Sequence, residues 1–134
     1  MGLARSYREL EVYQLAVDLQ QQVFAFSQRF PRDETYSLTD QIRRSSRSIG
    51  ANIAESWAKR RYVAHFTSKL SDADGESNET RHWLDTALAC GYLKRDEHLR
   101  LCQSYEQLGG MLGRMIGAPD SWCSRGCRHA APPP

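Results

Sequence analysis

No stretch of this sequence stays apolar for anything near the roughly 20 residues that a bilayer-crossing helix needs. The N-terminus also lacks the apolar core of a signal peptide, so the expectation is a cytoplasmic protein with no membrane partner. Strand-like alternation of apolar and polar residues is missing throughout, and so is any self-similar period of about 20–50 residues, which excludes sheet and solenoid architectures. A phosphate-cradling loop is absent too: Gly109-Gly110 lies in a helical pattern without a preceding strand or a following Lys-Ser/Thr. The frequent serines around Ser45 and Ser46 have no His or acid at a spacing that would activate them. These absences leave no enzyme reading with positive support, and no catalytic residue or cofactor is assigned.

Metal-binding patterns are sparse. A di-metal bundle needs two Glu-x-x-His motifs facing inward, and Glu79-Thr80-Arg81-His82 is the single match. His65, His82 and His98 fall off the apolar stripes and read as surface histidines. The 4 cysteines divide into two kinds. Cys90 and Cys102 sit in helical patterns as small core hydrophobes. Cys123 and Cys127, with His129, form C-x3-C-x-H in a segment that ends Ala-Ala-Pro-Pro-Pro. That motif lacks an obvious fourth ligand, so it reads as a frayed terminus with two free thiols, and no metal site is assigned.

What is present is helical periodicity. The 134 residues suit one domain, with 40% apolar and 25% charged residues. Four segments carry apolar stripes. Ser6-x-x-Glu9 offers a capping box for the first, where Leu10, Tyr13, Ala16, Val17, Phe24 and Phe30 follow with a gap at Gln20; Pro31 stops the helix near Arg29. A weaker box, Ser37-x-x-Asp40, precedes Leu38, Ile42, Ser45, Ile49, Ile53 and Trp57. Around that face, Gly50 and its small neighbours suggest close approach of another backbone. The third segment runs Phe66, Leu70, Ala73, Ser77, Thr80, Leu84 and Ala87 in heptad spacing, with Gly75 as a second point of close contact or bending and Gly91 as a left-handed C-cap. In the fourth, Asp96 serves as cap, Leu99, Cys102, Tyr105, Leu108, Leu112 and Met115 keep the period, and Gly117 and Pro119 end it. Short loops between the segments favour antiparallel neighbours. The expected fold is all-α, an antiparallel up-down-up-down four-helix bundle over residues 1–119, with a flexible C-terminal tail over 120–134.

Charge is nearly balanced overall at +2 but unevenly placed. Between Arg43 and Arg61 stand Arg43, Arg44, Arg47, Lys59, Arg60 and Arg61 against Glu55 alone, whereas Asp72, Asp74, Glu76, Glu79 and Asp85 face only Arg81. Two readings follow. The ridges pair with each other, within a chain or between subunits, making an interaction scaffold. Alternatively, the six bases are a nucleic-acid-binding surface, with structured RNA as the favoured ligand. Asn52 reads chiefly as a register-fixing residue on the second helix.

The segment Ser48-Ile49-Gly50-Ala51-Asn52-Ile53-Ala54-Glu55, followed by Arg60-Arg61-Tyr62 and Phe66-x-x-x-Leu70, resembles the signature of the four-helix-bundle family of 23S rRNA intervening-sequence proteins. Tyr7-Arg8-Glu9-Leu10-Glu11-Val12-Tyr13 and Asp74-Gly75-Glu76-Ser77-Asn78-Glu79-Thr80 fit the same pattern, so the resemblance spans about residues 6–117. Ser56 and Glu76 depart from it, standing where many relatives carry Gly and Ser. The family is one that includes the accessory variability determinant of diversity-generating retroelements. The resemblance implies a ring-like homopentamer, with RNA or DNA and a reverse transcriptase as possible partners.

Overall fold

The structure, a computed structural model, describes residues 4–123. Among them are four long helices and no strand: α1 (Glu11–Ser27), α2 (Asp40–Ala58), α3 (Val63–Ala89) and α4 (Arg95–Gly117). Helix α1 packs on α2, α2 on α3, α3 on α4, and α4 returns to α1. This cycle of neighbours, joined by short connections, is the four-helix bundle expected from the periodicity.

The core follows the stripes of α2 and α3 closely. Ile42, Ile49 and Ile53 of α2 are fully buried, as are Phe66, Leu70, Ala73 and Ala87 of α3. The two polar positions in the α3 seam, Ser77 and Thr80, are buried with them, and Thr80 Oγ1 donates to Ser45 Oγ across the α2–α3 contact at 2.8 Å. A buried hydroxyl needs such a partner, and this one fixes the register of the two helices. Asn52 does less than that: its Nδ2 donates to the Ser48 carbonyl of its own helix, 3.0 Å away.

Helix α1 keeps part of the expected stripe, with Leu10, Ala16 and Phe30 buried, and is rotated away from the rest. Val12, Ala16, Leu19 and Val23 turn inward, while Tyr13, Val17 and Phe24 are only half-buried. The two stripes lie side by side, and the one broken by Gln20 faces out. In α4 the core line is Leu101, Tyr105, Leu108, Leu112 and Met115, leaving Leu99 56% exposed. Cys90 is exposed rather than core, because it is the C-cap residue of α3. Cys102 is half-buried against the core.

The helix ends are also set differently. Ser6 caps a 3-10 turn, Tyr7–Glu9, by accepting from Arg8 N; Glu9 accepts from Arg5 N, and α1 starts only at Glu11. Before α2 comes a π-helical turn, Thr35–Thr39, capped by Glu34, to which Ser37 Oγ donates at 2.6 Å. Ser37 therefore does not cap α2. Glu34 also accepts from Tyr92 Oη at 2.9 Å, tying the α1–α2 connection to the α3–α4 turn. That bond pushes the Tyr92 phenol up to about 12, and bonds from Ser37 and Tyr92 hold the Glu34 carboxyl below its usual range. Before α4 it is Glu97, rather than Asp96, that reaches back, accepting from Lys94 N at 2.9 Å and from Arg29 at 2.8 Å. These two bonds, the Arg29 bond foremost, hold its carboxyl below the usual range.

Gly91 has φ of 79° and closes α3 with the expected left-handed cap: Tyr92 N donates to Ala87 O and Gly91 N to Leu88 O. The other two glycines differ from expectation. A Cβ on Gly50 would meet the Tyr13 ring at 3.6 Å, ordinary contact, so its close neighbour is a side chain of α1 and not a backbone. A Cβ on Gly75 would meet nothing within 4 Å. Gly75→Ala should therefore stabilise the bundle by about 0.5–1 kcal/mol, the ordinary helix-propensity difference. A lower urea midpoint would show that the open space is filled by something else.

Tyr105 makes the opposite kind of prediction. Its ring is 1% exposed and its hydroxyl finds no hydrogen-bond partner among the described residues. Burial pushes the phenol well up. A buried unpaired hydroxyl costs on the order of 1 kcal/mol or more, so Tyr105→Phe should raise stability by about 1 kcal/mol. A drop in the urea midpoint would mean that the hydroxyl is satisfied in solution.

The packed part runs past Pro119. A 3-10 turn, Pro119–Ser121, carries Trp122 and Cys123 back against the core. Cys127 and His129, which would complete the C-x3-C-x-H motif, lie outside the described residues.

Candidate functional site

Helix geometry sorts the basic residues of α2. Successive side chains turn by about 100°, so residues four apart share a side. With Ile42, Ile49 and Ile53 at the core, Arg43 and Arg47 fall toward α1, whereas Arg44 and Glu55 fall toward α3. The contacts agree. Arg44 pairs with Glu76, at 3.3 Å, and with Glu79, both on α3. Burial lowers its pKa, but the bond to Glu79 and the two carboxylate charges more than offset this. Glu79 also accepts from Trp83 Nε1 at 3.1 Å. One turn pair further along, Lys69 of α3 reaches Glu55 at 3.0 Å and Asp72 at 3.8 Å. The acidic and basic ridges thus meet inside one chain, through Arg44. Each such part-exposed pair contributes only ~0–1 kcal/mol.

Arg43 and Arg47 have a different environment. Both guanidinium groups lie over the ring of Phe24, at 4.6 and 5.5 Å from its centroid. Arg43 Nε donates to Ser27 Oγ at 2.8 Å. Neither forms an ion pair among the described residues. Arg47 lines a groove of about 420 Å³ between α1 and α2, walled also by Tyr7, Tyr13, Val17, Gly50 and Ala54 among others, and Arg43 stands one turn before it on the same side of α2. Arg8, absent from the sequence-derived set, lies over the ring of Tyr7, a groove residue, at 4.7 Å. The signal was available in Tyr7-Arg8, an arginine beside an aromatic, but it stood outside the charge block.

The remaining bases form a second group. Arg43 and Lys59 are separated by 16 helical steps, roughly 24 Å, so the six bases make no single patch. Lys59 is exposed at the end of α2. Arg60 stacks on Trp57, 3.5 Å from the ring centroid, and donates to the Trp57 carbonyl at 2.8 Å. Trp57 is half-buried with that face available, so it accepts a stacked cation where the stripe alone made it a core residue. Arg61 lies 5.8 Å over Tyr62. Both groups therefore share one construction, guanidinium groups laid on aromatic faces. Such contacts hold a cation in place at ~0.5–1 kcal/mol, and for Arg43 and Arg47 they do so without neutralising it.

No curated protein matches the chain. Among solved structures, the bundle is similar to a crystal structure of a protein of unknown function from the S23 ribosomal protein family of Bacteroides thetaiotaomicron. The TM-score is 0.71 at 25% identity, over 78% of this chain and 97% of that one. The family model for 23S rRNA-intervening sequence proteins matches residues 8–114, a span that holds nearly all of the four helical stripes and both groups of stacked arginines; the chain belongs to that family.

Proposed function

We propose that this chain is a non-enzymatic, oligomeric helical-bundle protein that binds nucleic acid, structured RNA foremost, along the α1–α2 groove. The observation that carries this reading is the pairing of Arg43 and Arg47 with the Phe24 ring and, among the described residues, with no carboxylate. A cation held on a ring keeps its full charge and its outward donors for a phosphate, and the aromatic walls offer stacking faces for unpaired bases. Lys59, Arg60 and Arg61 extend the contact at the other end of α2. Arg44 is left out of the binding set, since Glu76 and Glu79 already neutralise it.

Anisotropy titration of the full chain against a labelled RNA hairpin, over a salt series, tests the reading. Binding that weakens steeply with salt supports it; no binding at low salt overturns it. A second reading rests on the half-exposed Tyr13, Val17 and Phe24, which leave an apolar wall beside the groove. In that reading the groove takes a protein, either another subunit or a partner to which this chain is accessory. Native mass measured together with the ultraviolet absorbance ratio separates the two, because bound nucleic acid raises the ratio and a protein partner does not.

A further inference from the structure

Outside the groove, one cluster joins three different metal-ligating side chains. His98 and Cys102 stand one turn apart on α4, so they share a side. Asp85 on α3 reaches the same point across the α3–α4 turn. His98 Nε2 lies 2.8 Å from Asp85 Oδ1 and 3.4 Å from Cys102 Sγ, and the three ligand atoms all fall within 4.8 Å of one another. We propose that Asp85, His98 and Cys102 form a three-ligand site for a zinc-class divalent ion, with the fourth position open to water or to a ligand from outside the chain.

The geometry argues against the alternative use of these groups. A nucleophilic Cys–His–Asp relay needs the thiol on one ring nitrogen and the carboxylate on the other. Here both partners converge on Nε2, which is the arrangement of ligands around a common point. Zinc bonds of about 2.0–2.3 Å in a tetrahedron put ligand atoms roughly 3.4–3.6 Å apart. The nitrogen–sulfur distance already has that length. The nitrogen–oxygen distance is that of a hydrogen bond, so the ion replaces the shared proton and the two atoms open by about 0.6 Å. Asp85 supplies the movement, since its side chain is 67% exposed, whereas His98, 19% exposed, is held by its surroundings. A nitrogen, a carboxylate oxygen and a thiolate sulfur are the mixed donor set that suits zinc better than magnesium or calcium, which take oxygen alone.

The test titrates the purified full chain with Zn²⁺ by calorimetry and with Co²⁺ by absorbance, where a thiolate–cobalt charge-transfer band reports the sulfur ligand. Cys123, Cys127 and His129 offer a competing set, so the Cys123→Ser, Cys127→Ser, His129→Gln triple variant is measured alongside. The expected result is one equivalent of metal, with the thiolate band, kept in the triple variant and lost in both Cys102→Ser and His98→Gln. Asp85→Asn should weaken binding at least tenfold. Circular dichroism confirms that each variant is folded, and His98→Gln, altering a surface-reaching ring, stands in if the thiol variant does not fold. No uptake by the triple variant, or a thiolate band that survives Cys102→Ser in that background, overturns the proposal. Unchanged affinity in Asp85→Asn overturns the three-ligand set.

Discussion

Phe66→Ala should cost the bundle about 3–5 kcal/mol, while Leu99→Ala should change its stability by no more than about 0.5 kcal/mol. Both residues sit on the apolar stripe that the sequence shows for their helix, so periodicity alone would give them similar weight. The structure separates them. Phe66 is fully buried at the start of α3, in the same cluster as Ile53 and Leu70. Removing its ring deletes the transfer free energy of a large side chain and leaves a cavity that four packed helices cannot close. A loss of that size is a large part of the 5–15 kcal/mol that holds a typical domain together. Leu99 is 56% exposed in the first half of α4, and truncating it takes little apolar surface out of the core. Urea unfolding of the two variants measures both effects; the midpoint should fall steeply for Phe66→Ala with an unchanged slope. A Leu99→Ala loss comparable to that of Phe66→Ala would show that Leu99 is covered in solution. A Phe66→Ala loss below about 1 kcal/mol would contradict the packing of α3.

Why the sequence identifies Phe66 but misjudges Leu99 is a matter of neighbouring stripes. Helix α2 has one apolar face bounded by charge, so Ile42, Ile49 and Ile53 could belong only to the core, and they do. Helix α1 has two adjacent apolar lines. Period alone cannot choose between them, and the useful signal was the interruption at Gln20, which marks the wetter line. In α4 the strict 4-3-4-3 spacing of Leu101, Tyr105, Leu108, Leu112 and Met115 was legible and outranks the 3-3-3 run through Leu99. Helix starts were misplaced where a Ser-x-x-acid pattern matched by composition. The carboxylates of Glu34 and Glu97 make the connections instead, and their partners, Tyr92 and Arg29, are 58 and 68 residues away. The same distance in sequence hides the candidate site. Two ridges of opposite charge were visible, but which arginine meets Glu76 and Glu79 depends on the rotation of α2 against α3. The meeting of Asp85 with His98 and Cys102 depends on how the α3–α4 turn aligns two helices, which neither helix records by itself.

That rotation gives the prediction that bears most on function. Replacing Arg43 and Arg47 together by Gln should weaken RNA binding roughly 25–60-fold at about 0.1 M salt, and Arg44→Gln should leave it within about twofold. Each phosphate contact contributes a slope of about 0.7, for single strands, to 0.9, for duplex, in log K against log salt. At about 0.1 M this amounts to roughly five- to eightfold per contact, and two contacts multiply. The salt slope of the double variant should therefore be shallower by about 1.4–1.8, a readout that misfolding would not produce in a chain that still binds. Arg44 is adjacent in sequence and equally charged on paper, but its guanidinium already faces the carboxylates of Glu76 and Glu79. Losing it removes two intrachain ion pairs, an effect on stability of ~0–1 kcal/mol each, and frees two acids on the α3 side of the helix, away from the groove. If Arg44→Gln weakens binding as much as the double variant does, the nucleic acid is reading the net charge of α2 and not the groove. If neither variant changes affinity or salt slope, the stacked arginines are structural, and the groove is left to a protein partner.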